Sequence, residues 1–146
     1  MNASDTFRFR VWDGFGFLQE LIHQWSPIEC SNEKDYENSL VQHLRNRLDE
    51  VEITPQYGLG RAKADICIAH KFLVDMKTNF VTTGEYQRLL GQLLDYIASD
   101  KRVIIVLTGE TDPDLKMRLE TFIKNENNKF EHFYNGDKIV LLVKNL

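Results

Sequence analysis

The chain has 146 residues, of which 42% are hydrophobic, 27% charged and 11% aromatic. That length suits one domain with a full core, and that composition excludes a disordered, collagen-like or low-complexity chain. A net charge of −4 argues against bulk attraction to nucleic acid, so any such role must rest on a local site.

Residues 7–25 hold Phe7, Phe9, Trp12, Phe15, Phe17, Leu18, Leu21, Ile22 and Trp25. Their second half has helical spacing, and Pro27 stops it. A helix packing on the core is expected, with a base-stacking platform as the alternative. Residues 31–49 read as a second helix, capped by Ser31 or Asn32 and acidic in its first turn. A strand follows near Val51–Tyr57, then the loop Gly58-Leu-Gly60-Arg61, whose glycines allow either a close backbone approach or an ordinary turn. The runs Ala64–Ala69 and Phe72–Thr78, joined around His70-Lys71, form a hairpin pattern. Residues 84–99 make a third helix. Arg102–Thr108 is a short apolar run of the kind buried on both faces. Asp112 and Pro113 open a helix to about Asn125, and Lys138–Lys144 is a last strand.

The expected fold is α/β: a mixed central sheet, made of a three-stranded meander plus a crossover strand, flanked by helices. One domain over 1–146 is expected, with a helical extension (1–30), a core (31–110) and a C-terminal helix and strand (111–146). No apolar run approaches the roughly 20 residues of a membrane span. The first residues mix arginines with acids where a signal peptide needs an apolar stretch, so a cytoplasmic location is expected. Cys30 and Cys67 lie in no C-x-x-C motif. Cys67 reads as a reduced core thiol, with a disulfide to Cys30 as the alternative.

Carboxylates break the apolar pattern at informative places. Asp65 and Asp75 are equidistant from His70, so an antiparallel hairpin sets them opposite one another. Side-chain alternation puts Lys77 on the face of Asp75. Facing carboxylates repel by up to about 1 kcal/mol, and a divalent cation between them reverses the sign. Mg²⁺ takes oxygen ligands and is typically held through one or two carboxylates. On the second helix, Glu37 projects into the stripe of Leu40, Val41, Leu44 and Leu48, a costly direction for a carboxylate without a cation or donors. Glu33 lies near the same face but in the frayed first turn, and ranks second. On the third helix Arg88, Gln92 and Tyr96 share one flank, while Gln87 falls on the other. A guanidinium, an amide and a phenol suit a phosphate backbone. Each feature also has a plain reading: a chance D-x-K, a strand-ending Asp65, a Glu37–Lys77 ion pair, a solvated Gln92 and a core Tyr96.

In that order, Glu37, Asp65, Asp75-x-Lys77 and Gln92-Leu-Leu-Asp-Tyr96 resemble the PD-(D/E)XK nuclease superfamily, nearest its RecB-like branch. Lys63-Ala64 stands where the family pattern has a proline before the first aspartate. The resemblance spans Asn32 to about Thr108 and implies a restriction-endonuclease-like core. It implies a Mg²⁺- or Mn²⁺-dependent nuclease that hydrolyses phosphodiester bonds in DNA, as an endonuclease, with RNA left open. Asp65, Asp75 and the Met76 carbonyl would hold the metal, and Glu37 would bind it directly or through water. Lys77 would position the attacking water, and Gln92 would orient it or the phosphate. Arg61, Lys63, Arg88 and Tyr96 are the expected nucleic-acid contacts. A homodimer or a targeting subunit is an expected partner. The alternative is a catalytically silent, nuclease-like subunit that binds nucleic acid or protein.

Overall fold

The computed structural model describes residues 14–131 and 136–144. Phe7, Phe9 and Trp12 lie outside them. Helix α1 (Gly14–Gln24) buries Phe15, Phe17, Leu18, Leu21 and Ile22, and its apolar spacing is spent on the core. Helix α2 (Glu33–Arg47) starts where Asn32 accepts a hydrogen bond from the Asp35 N–H at 2.9 Å. Acids in its first turn and arginines in its last suit the helix dipole.

Three antiparallel strands follow: β1 (Ile53–Leu59), β2 (Ala62–Ile68) and β3 (Phe72–Phe80). β1 runs two residues further than expected, so Gly58 and Leu59 belong to the strand. The turn is left to Gly60, whose φ of 63° is the left-handed conformation that glycine adopts without steric cost. Helix α3 (Thr83–Ile97) is capped by Thr82, which accepts from the Glu85 N–H while donating to the Glu85 carboxylate. Strand β4 (Arg102–Thr111), helix α4 (Pro113–Lys129), capped by Asp112, and strand β5 (Ile139–Lys144) complete the order.

The five strands lie side by side in sequence order. β3, β4 and β5 run parallel, linked by the crossover helices α3 and α4, so the sheet is mixed. Val103 to Leu107 of β4 are wholly buried and alternate between two cores. Ile104 and Val106 join α1 and α2 on one face; Val103, Ile105 and Leu107 join α3 and α4 on the other. Each such side chain contributes about 1.5–3 kcal/mol by leaving water, which is why a continuous apolar run takes the middle of a three-layer α/β/α sandwich. Cys30 and Cys67 are both free, and Cys67 is buried. No helix among the described residues is long and apolar enough to cross a membrane.

Candidate active site

The site forms where the sheet opens. β2 and β3 pair from Ile68↔Phe72 to Ile66↔Val74, and the ladder stops there. One further step of that register brings Asp65 opposite Asp75. Met76 and Thr78 of β3 are two apart, so their N–H groups point to the same edge, the one β2 has left. Carboxylates take both amides. Asp65 Oδ2 accepts from Met76 N–H at 2.7 Å, and Glu33 Oε1, from the start of α2, accepts from Thr78 N–H at 3.0 Å.

Asp75 lies on the face toward α3 and is fully buried. Lys77 Nζ stands 3.3 Å from its Oδ2, outside the directions of a hydrogen bond, and neither carboxylate oxygen has a hydrogen-bond partner. Asp65 cannot supply one while both acids are ionised, because a carboxylate only accepts. Burial, and next the charge of Asp75, push the Asp65 carboxyl from 3.8 to about 7. Burial also raises Asp75, against the pull of Lys77. Glu33 is raised by burial too, with the Thr78 N–H and Lys77 opposing. Three acids thus share a site in which protonation, or a cation, relieves their repulsion.

Above Lys77 a cleft of 280 Å³ is lined by Glu33, Lys77, Glu85, Arg88 and Gln92. Gln92 lines the cleft, and its Oε1 is buried without a hydrogen-bond partner; Gln87 is exposed elsewhere on α3. Arg88 is exposed at the rim. Arg61 and Lys63 are exposed at and just after the β1–β2 turn, and the cleft walls do not include them.

Two expectations need correction. Tyr96 is not available to a phosphate: it is fully buried among Leu89, Leu93 and Ala64, and its hydroxyl donates to the Lys63 carbonyl at 3.1 Å. Burial, then the charges of Asp75 and Asp65, hold its phenol protonated. Its spacing from Gln92 is one helical turn, but α3 packs so closely on β2 that the second residue of the pair is absorbed by the core. Glu37 is buried as expected, yet α2 presents Glu33 to Lys77 and the aspartates. Glu37 Oε1 instead accepts from Gln56 Nε2 at 2.5 Å and faces Lys34 Nζ at 3.4 Å. The first turn of α2 is not frayed, because the Glu33 carboxylate is fastened to the sheet.

Glu33 was legible only as second to Glu37, and Glu85 and Gln56 were the residues least legible in the sequence. Thr82 followed three positions later by Glu85 is a capping box, and it marks Glu85 as a residue at the mouth of α3. Pro55 inside a strand marks β1 as an edge strand and an irregular one.

The metal test rests on the donor set. Among the described residues no three His, Cys, Asp or Glu side chains converge into a metal cage of their own. Asp65 and Asp75 supply two carboxylates, one of them with orphaned oxygens. The Met76 carbonyl points, with its N–H, to the opened edge. Oxygen-only ligation by two carboxylates, with the remainder from water and substrate, suits Mg²⁺ or Mn²⁺ and does not suit zinc.

No family model matches the sequence. No curated protein matches it. Among solved structures the chain is similar to SfsA from Pyrococcus furiosus in complex with Ca²⁺, at 14% identity and a TM-score of 0.46, over 77% of this chain and 55% of that one. The chain thus spans about half the length of SfsA that it matches.

Proposed function

We propose that this protein is a metal-dependent nuclease of PD-(D/E)XK type, cutting phosphodiester bonds in DNA. One observation carries the reading. Asp75 is wholly buried opposite Asp65, with Lys77 Nζ 3.3 Å from one of its oxygens and no hydrogen bond to either oxygen. A buried anion met by one ammonium and no hydrogen bond is incompletely satisfied, and a divalent cation is the partner that its oxygens, Asp65 and the Met76 carbonyl would accept. Such a cation, when bound, supplies Lewis-acid polarisation of a phosphoryl oxygen.

The chain's own groups divide the rest of the work. Lys77, 17% exposed and tethered to Asp75, has protons left to donate to a water or to developing negative charge. Gln92, in the cleft wall, suits the phosphate through its amide N–H₂. Arg88 at the rim suits a neighbouring phosphate. Glu33, beside Lys77, is the α2 acid placed to assist in the role first assigned to Glu37. The helix, three-stranded meander, crossover helix and fourth strand occur in the order of the family core.

The test incubates the protein with supercoiled plasmid and with single-stranded DNA, in Mg²⁺, Mn²⁺ or EDTA, beside Asp75→Ala and Lys77→Ala. Cleavage is expected with either metal, absent in EDTA, and reduced at least about 100-fold by each substitution. Cleavage that survives both substitutions overturns the site. A silent nuclease-like subunit has one point in its favour: among the described residues no three His, Cys, Asp or Glu side chains group into a metal site. It predicts DNA or protein binding indifferent to Mg²⁺.

A further inference from the structure

Glu37 and Gln56 hold a feature that the cleft does not explain. β1 pairs with β2 in one constant register from Ile53↔Ile68 to Leu59↔Ala62, yet the pair Gln56–Asp65 is missing from the middle of the ladder. Gln56 has φ of 53°, a left-handed conformation that only glycine adopts freely. The two-residue period breaks at the same point. Ile66 and Ile68 face the α1–α2 core, whereas Ala62 and Ala64, at the same parity, face the α3–α4 core. Both strands of the hairpin therefore twist over together at Gln56 and Asp65. Asp65, freed from the ladder, turns its carboxylate to the Met76 N–H and to Asp75. At the kink the Gln56 side chain donates its amide to the buried Glu37 carboxylate.

We infer that Glu37 is a positioning residue for Asp65, acting through Gln56, and that it ligates no metal. Glu37 is 4% exposed, and its Oε1 is committed to Gln56 and Lys34. Helix α2 thereby clamps β1 in a conformation that β1 would otherwise leave. The inference deepens the nuclease reading, since the residue it positions is a metal ligand of that reading.

The experiment follows amide exchange at Met76 in the metal-free, DNA-free protein, referred to the Ile105 amide in β4 as a gauge of general loosening. Glu37→Gln keeps an acceptor for Gln56, so exchange stays at the wild-type rate. Glu37→Ala and Gln56→Ala accelerate it about tenfold or more relative to Ile105. Gln56→Gly combined with Glu37→Ala restores it, because glycine takes the left-handed conformation without an anchor. Mn²⁺ binding by calorimetry follows the same order, with Glu37→Gln at the wild-type midpoint. If Glu37→Ala does not fold, Gln56→Ala against Gln56→Gly decides: fast exchange in the first and slow in the second support the inference, and equal rates overturn it. Met76 exchange indifferent to Glu37→Ala overturns it. So does a Glu37→Gln variant that weakens Mn²⁺ as much as Glu37→Ala, which would mark position 37 as a ligand. A wild-type protein that cuts no DNA but keeps this exchange pattern refutes the nuclease reading alone.

Discussion

Asp65→Asn keeps an oxygen for the Met76 N–H and removes a charge. Burial and the Asp75 charge push the Asp65 carboxyl from 3.8 to about 7 on folding. An acid whose pKa rises on folding holds its proton more tightly in the folded state. Its stabilising contribution is complete below the unfolded value of 3.8 and is lost as pH climbs through the folded value. The rise corresponds to at most about 4 kcal/mol of lost stability at high pH. Asp65 and Asp75 titrate as a pair, so the loss belongs to both and the substitution recovers only part of it. His43 has the opposite sign: burial lowers its pKa, so it adds stability as pH rises toward 6.5. The difference between variant and wild type cancels such background groups. Urea unfolding in EDTA, at steps between about pH 4 and pH 8, measures that difference. The variant should match wild type near pH 4 and gain steadily, reaching about 2–4 kcal/mol at pH 8. A gap that is constant with pH, or that narrows as pH rises, would refute the buried acid pair.

Three further outcomes are expected. Mg²⁺ at about 100 times its Kd should stabilise the wild type by about 2.7 kcal/mol, read as a rise in Tm, and leave Asp75→Asn unmoved; equal shifts in both proteins would place the ion elsewhere. Tyr96→Phe deletes the donor that the Lys63 carbonyl uses and should cost about 1–2 kcal/mol in urea unfolding; no cost would mean that the hydroxyl does not hold β2 to α3. Gly109→Ala should cost about 2 kcal/mol or more, because Gly109 has φ of 69° and a methyl there meets the Asn79 side chain; a neutral result in a thermal melt would contradict the tight join after Thr78.

Most of the fold was legible because hydrophobic period and capping residues act locally. The β4 run, Asp112 before Pro113 and the symmetry of Asp65 and Asp75 about His70 each specify a geometry within a few residues. The site was legible where it depended on strand alternation, which fixes Asp75 and Lys77 on one face. It was less legible where tertiary packing chooses between residues one helical turn apart. Glu33 and Glu37 lie on the same side of α2, and the choice between them depends on where the Thr78 amide and Gln56 happen to lie. Neither is a property of α2's own sequence. Tyr96 went to the core for a similar reason, since α3 packs on β2 in the cluster that holds Ala64, a small residue.

Lys77 alone cannot make the site an ordinary structural ion pair. A buried pair repays its desolvation only when good geometry and further hydrogen bonds satisfy the remaining lone pairs. Lys77 meets one oxygen of Asp75 off the hydrogen-bonding direction, and the other oxygen has no hydrogen-bond partner. Asp65 and Glu33 add two more carboxylates that interact with the same lysine, and burial raises all three acids. Against them stand one ammonium inside and one guanidinium at the rim. A chain selected only for stability would lose this excess by a single change, such as Asp75→Asn or a valine to continue the β3 run. Retaining one buried and two half-buried acids around one lysine makes physical sense when positive charge arrives from outside. On the proposed reading a divalent ion, held by Asp65 and Asp75, would supply that charge in a compact, doubly charged form that proton binding cannot.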